Sequence, residues 1–336
     1  MLKLFIFVTT LLISITGFAN EEVNLYSARQ EVLIKPLLEA FTADTGIQVN
    51  IISSKADALL KRIQSEGINS PADVLLTTDA GRLWRAKQAD IFTPVDSTLL
   101  NEAIPTQYRD PDSKWFGLSL RARPIMIVSN STLEKPITYE NLSSSKYDNK
   151  VCVRSSNNIY NQSLIASMIA ILGEDKTEAW ATGLVSNFAR NPQGGDRDQI
   201  RAAAAGQCDI VIANTYYLGQ MLADESNSSD QQAGQQISVI WPNQDDRGTH
   251  VNVSGAGVIK TAPNKANAIK LLEYLASDVA QQIYADVNYE YPVKKDIKIN
   301  SILAGWGEFK ADDIQLDLLG EYNAAALRLM DRAGWK

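Results

Sequence analysis

The sequence predicts a two-lobed α/β protein in which two crossing strands form a hinge and a ligand cleft lies between the lobes. Three observations predict it. Short strand patterns alternate with amphipathic helices from Val23, the same alternation returns from Val151, and two extended stretches, 121–129 and 250–260, stand where the chain would pass between the halves. The 336 residues, 45% hydrophobic and 21% charged, supply enough apolar mass for two cores.

Ahead of the first strand, Met1, Leu2 and Lys3 lead into an apolar run over 4–15, and Gly17, Phe18 and Ala19 precede the charged pair Glu21 and Glu22. This is the pattern of a secretory leader, 1–19, cleaved after Ala19; the apolar run is too short to span a bilayer. No Cys stands near the cleavage point to carry a lipid, so the expectation is a periplasmic protein that does not span the membrane.

Residues 23–26 read as a strand and 31–45 as an amphipathic helix, with Leu33, Ile34, Leu37, Leu38 and Phe41 on one face and Gly46 as its stop. A strand over 47–52, a helix over 56–65, a strand over 72–77 and a helix from Ala80 follow. In the second half, 151–154 and 209–213 read as strands, and 163–172, 177–189 and 198–205 as helices. The segment 225–236, rich in Ser, Asp and Gln, has almost nothing to bury and reads as a surface loop. Such alternation predicts mostly parallel sheets covered on both faces. The lobes would then comprise 20–122 plus 254–295, and 123–253 plus 296–336.

Charge and rare residues narrow the function. A formal charge of −7 offers no broad basic surface for nucleic acid. One His and two Cys exclude clustered His/Cys sites for zinc, copper or iron–sulfur, and any triad needing more than His250. No Gly-x-Ser-x-Gly elbow or metal-hydrolase motif is present, and His250 reads as a structural residue, so an enzyme is not expected. In an exported protein, Cys152 and Cys208, each at the start of a strand pattern, favour a disulfide, with two buried thiols as the alternative.

What remains is oxygen and Arg. The pair Tyr216 and Tyr217 directly follows the 209–213 strand, and Tyr160 lies in the corresponding stretch after 151–154. Residues past the carboxyl ends of strands in an open α/β sheet face the crevice where ligands bind. Phenolate is a hard donor suited to Fe3+, and three phenolates cancel its charge. Open coordination positions would take water or a small anion, which Arg29, Arg121 or Arg123 could hold.

Tyr26-Ser-Ala-Arg-Gln30, Ser70-Pro-Ala-Asp-Val74, Arg121-Ala-Arg123, Asn214-Thr-Tyr-Tyr217 and Ser254-Gly-Ala-Gly257 together resemble the periplasmic ferric-ion-binding proteins of ABC importers. The resemblance implies the two-lobed fold, Fe3+ as transported ligand on Tyr160, Tyr216 and Tyr217, and delivery by a monomer to an inner-membrane permease and its ATPase. Some members carry a first-lobe His or His-Tyr pair where Gln30 and Glu31 stand here, or a Glu where Thr78 stands. The sequence is therefore similar to the three-tyrosine branch, in which an anion such as carbonate fills the remaining sites, and Arg29, Gln30 and Arg121 match its anion contacts. Tyr26 and Glu31 are further candidate ligands. The competing reading keeps the fold and binds an oxyanion, a polyamine or an organic cofactor.

Overall fold

The computed structural model of the protein describes residues 21–336, so the leader expected at 1–19 and its cleavage point lie outside the described residues. The chain runs through β1 (Glu22–Ser27), α1 (Glu31–Thr45), β2 (Gln48–Ser53), α2 (Ala56–Glu66), β3 (Val74–Thr78), α3 (Ala80–Gln88), α4 (Thr98–Ala103) and β4 (Phe116–Ala122). It then crosses to β5 (Ile125–Val128), β6 (Val151–Cys152), α5 (Ile159–Leu172), α6 (Glu174–Ser186), α7 (Asp196–Ala204), β7 (Ile210–Ile212), α8 (Thr215–Ala223), α9 (Ser228–Gln235) and β8 (Ile237–Ile240). It returns through β9 (Val251–Val258) and ends in α10 (Lys265–Leu275), α11 (Asp278–Asn288), α12 (Ser301–Gly305), α13 (Asp317–Glu321) and α14 (Asn323–Arg332).

Two sheets result, one of five strands in the order β2-β1-β3-β9-β4 and one of four in the order β6-β7-β5-β8. The stretch expected as one strand over 121–129 is two strands in different sheets, parted at Arg123 and Pro124; proline fixes its own φ and has no N–H to donate to a ladder. The chain crosses there, crosses back between β8 and β9, and crosses once more after α11, since α12 packs on α8 and α14 on α5 and α6.

The sheets are mixed rather than mostly parallel. β1 runs parallel to β2 and β3, and β6 to β7, but β9 is antiparallel to β3 and β4, and β5 to β7 and β8. The antiparallel strands β5 and β9 are those that follow the first two crossings. A strand arriving from the other sheet enters against the direction of its neighbours, which strand–helix alternation alone does not reveal.

β9 also explains two glycines of the 254–257 motif. A Cβ on Gly255 would lie 2.5 Å from the Phe116 carbonyl oxygen, and one on Gly257 2.5 Å from that of Lys114. Only glycine lets β9 pass this close to its neighbours.

The segment 225–236 carries α9 where a loop was expected. Its few apolar positions suffice because polar contacts fix it: the Asn227 side chain accepts from the Asp230 N–H, and Arg201 forks onto Asp230 at 2.6 and 2.7 Å. Ala233 and Gly234 are buried where α9 meets α8.

Cys152 and Cys208 are bonded, with Cα atoms 5.9 Å apart, which settles the alternative left by the sequence. Closing a loop of 56 residues contributes about 4 kcal/mol in the chain-entropy model. His250 is buried, and its imidazole is pushed down to about 3 by burial first and then by the charges of Arg123, Arg247 and Arg121. It is neutral at physiological pH.

Candidate functional site

The site grows from the chain ends of β6 and β7. After β6, the Asn158 side chain accepts from the Tyr160 backbone N–H at 3.2 Å and starts α5 four residues earlier than periodicity suggests. After β7, Asn214 occupies the cap position of α8. Tyr160 thus sits in the first turn of one helix, and Tyr216 and Tyr217 in the first turn of another, rather than in open loops. Unpaired N–H groups at a helix start favour negative charge beside them, so the placement suits phenolates.

The three rings meet across 56 residues of sequence. The Tyr216 hydroxyl donates towards the Tyr160 hydroxyl at 3.5 Å, and the Tyr216 and Tyr217 ring centroids are 4.1 Å apart. Burial raises the Tyr160 phenol, but the Arg121 charge, hydrogen bonds with Tyr216 and Thr78, and the Arg82 charge outweigh it and leave Tyr160 below the usual tyrosine value. Tyr216 is pushed well above that value by burial and by the charges of Tyr160 and Tyr217; burial, Tyr160 and Asp196 likewise raise Tyr217. The three phenols titrate as a coupled set, in which the Arg121 charge favours negative charge on Tyr160.

Arg121, on β4, is 1% exposed and sets its guanidinium carbon 5.0 Å from the Tyr160 ring centroid. Its Nη2 donates to the Val253 carbonyl at 2.7 Å, while Nε and Nη1 are buried without a partner among the protein atoms. Two buried donors without a protein partner, beside a tyrosine cluster, have hydrogen-bonding capacity that an anion could use. Arg29 is more fully engaged: its Nη1 donates to Ser254 at 2.7 Å, and its Nη2 lies 3.0 Å from Glu290. Gln30 is exposed just ahead of α1, and its side chain makes no capping bond. Tyr26 donates to Glu66 at 3.0 and 3.1 Å within its own lobe, and Glu31 is exposed in the first turn of α1.

Sequence reasoning missed the acids that neutralise these arginines. Glu290 faces Arg29, and Asp196 faces Arg123 at 2.9 Å; both acids are buried. Asp79, also buried, sits between the end of β3 and α3, where its carboxylate caps Gly81 N–H at 2.9 Å. A strand followed by Asp and two small residues is a legible helix start. Glu290 had no such signal, because nothing near it in sequence says which arginine it will meet. Among the described residues, no group of three or more His, Cys, Asp or Glu side chains is placed to hold a metal ion, and no helix is long and apolar enough to cross a membrane.

The profile of the bacterial extracellular solute-binding proteins matches residues 69–305. The chain belongs to that family. These are binding proteins of transport systems rather than enzymes, and the two-sheet α/β architecture is that of periplasmic binding proteins. This solute-binding protein is 50% identical over 318 residues to iron uptake protein A1 of Synechocystis, covering 94% of this chain and 88% of the relative. It superposes with a TM-score of 0.90 on a Trichodesmium protein (IdiA, FutA) solved in complex with iron and citrate, at 50% identity, covering 94% of this chain and all of that one. The ferric iron-binding protein A of Mannheimia haemolytica, solved in an open conformation, superposes at 0.87 with 46% identity, covering 94% and 99% of the two chains.

Proposed function

We propose that this protein captures Fe3+ in the cleft between its lobes through the phenolates of Tyr160, Tyr216 and Tyr217, together with a small anion, and passes the ion to an ABC permease and its ATPase at the inner membrane. The observation that carries the reading is the meeting of three tyrosines from two helix starts, with the Tyr160 and Tyr216 hydroxyls 3.5 Å apart and the Arg121 guanidinium over the Tyr160 ring. Neutral phenols so close gain little from one another. Phenolates around a trivalent cation gain a great deal, since three negative charges balance it.

Arg121 supplies the anion contact through its two unpartnered nitrogens, with Arg29 and Gln30 at the first-lobe side of the cleft. Carbonate fits two adjacent donors and two open metal positions. Support for a carboxylate-type anion also comes from the relative solved with iron and citrate. The lobe boundary at 122/123 is supported by β4 and β5 lying in different sheets, whereas β9 is in the first sheet from Val251 on, so the second boundary is drawn ahead of Val251 rather than at 253/254. Packing of α14 on α5 and α6 supports assigning the end of 296–336 to the second lobe, while α13 packs on both α3 and α5. Export to the periplasm by the 1–19 leader completes the proposal.

The deciding experiment is metal analysis with a visible spectrum on protein purified without chelator. Stoichiometric iron and a red to purple charge-transfer band are expected. Colourless protein that stays colourless after ferric loading would refute the tyrosine site.

A further inference from the structure

The guanidinium of Arg123 lies between the two helix starts that carry the tyrosines. It is 1% exposed. Its Nη1 donates to Asp196 Oδ1 and Asn214 Oδ1, both at 2.9 Å, and its Nη2 to Asn161 Oδ1 at 2.5 Å and the Ile212 carbonyl at 3.2 Å. Asn161 is the residue after Tyr160, and Asn214 stands two before Tyr216. The Asn161 amide reaches back to the carbonyls of Arg154 at 2.9 Å and Ser155 at 3.2 Å, and the second oxygen of Asp196 takes Arg154 Nη1 at 2.9 Å. One planar fork therefore holds the chain segments entering both helices.

We infer that Arg123 is a positioning residue: through Asn161 and Asn214 it sets the spacing of Tyr160 against Tyr216 and Tyr217 before the metal arrives. The inference rests on the tyrosine site proposed above. A guanidinium offers five donors at fixed angles, and four acceptors from three separate segments meet it here, a geometry that an ammonium cannot reproduce. Stability alone does not call for this arrangement, since a buried ion pair of the Arg123–Asp196 kind is often no better than a well-packed apolar substitute. What the fork adds is a fixed distance between two helix starts. Outer groups that orient metal ligands typically govern a 10- to 100-fold range of metal affinity.

The test compares wild type, Arg123→Lys and Asn187→Ala for ferric affinity in competition with citrate, for the charge-transfer band, and for urea unfolding. Asn187 is a buried second-lobe residue whose amide donates to the Leu142 and Ser144 carbonyls, so its loss controls for destabilisation. Arg123→Lys is expected to keep the fold, bind Fe3+ roughly 10- to 100-fold more weakly and shift the band, while Asn187→Ala loses stability with the band unmoved. A folded Arg123→Lys with native affinity and band would overturn the inference. Should Arg123→Lys not fold, Asn161→Ala and Asn214→Ala replace it: a shifted band in both supports the positioning role, and native spectra in both overturn it. A wild-type protein without any band refutes the tyrosine site, which is distinct from variants that keep a normal one.

Discussion

The Ser163 hydroxyl, one helical turn beyond Tyr160 on α5, lies 2.9 and 2.8 Å from the two carboxylate oxygens of Asp79 in the turn that follows β3. Asp79 adopts φ +86°, a region that residues other than glycine seldom enter, and is kept there by Gly81 N–H, by the Asn252 amide at 2.8 Å, and by its own N–H bonded to the Val253 carbonyl at 2.8 Å. The contact fastens the helix that bears Tyr160 to the turn at the carboxyl end of the central strand of the other sheet. Ser163→Ala leaves the buried carboxylate short of one donor, and a loss of about 1–3 kcal/mol in urea unfolding is expected. A variant as stable as wild type would show that the contact carries no weight.

Each of Tyr160→Phe, Tyr216→Phe and Tyr217→Phe removes one charged donor and keeps the ring. Folding should persist, while ferric affinity falls by about 100-fold or more and the charge-transfer band weakens or shifts. Native spectra and affinities in all three variants would be incompatible with these ligands.

Iron binding must expel phenol protons. Tyr216 and Tyr217 are raised above the ordinary tyrosine value, so both are protonated in the empty protein at neutral pH, and uptake of Fe3+ releases those protons. Affinity therefore falls as pH falls. A spectrophotometric titration from pH 8 downward should bleach the band progressively, and a band indifferent to pH down to the point of acid unfolding would contradict phenolate coordination.

With the tyrosines on one lobe and Arg29 and Gln30 on the other, iron and anion should draw the lobes together about the crossings as rigid bodies. The extent depends on how much better the closed state holds the ion. Small-angle scattering should show a smaller radius of gyration after ferric loading. Arg121→Ala should retain initial iron capture and lose anion retention and most of the compaction; a variant that closes and holds the anion normally would remove Arg121 from the site.

Asp312 is 3% exposed, and burial, against the opposing Ile314 N–H and Arg247 charge, pushes its carboxyl up to about 6. A folded-state value above the unfolded one means that the folded protein binds the proton more tightly. The stabilisation is complete below the unfolded value near 4 and is lost as pH rises through 6. Asp312→Asn should raise the free energy of unfolding relative to wild type at pH 7.5, by an amount on the order of 2 kcal/mol, and change it little at pH 4. Equal effects at both pH values would exclude this cause.

The α/β alternation and the bounds of several elements were legible in residue patterns alone. Periodicity placed α1 at its observed bounds, since 3.6-residue spacing and the Gly46 stop, in left-handed conformation at φ +77°, are local properties. The strand-then-tyrosine order at 209–217 marked the proposed site for the same reason, and the scarcity of His and Cys pointed it to oxygen donors. Other features waited on the tertiary structure: the antiparallel entry of β9, the helix at 228–235, the meeting of Tyr160 with Tyr216 across 56 positions, and the bond from Arg29 to Ser254 across 225. Each is a contact between segments whose own patterns are silent about the partner. Buried charges are the sharpest case: Arg123 must find an acid once water is removed, and only the closed chain shows that the acid is Asp196 and that the same fork reaches both tyrosine-bearing helices.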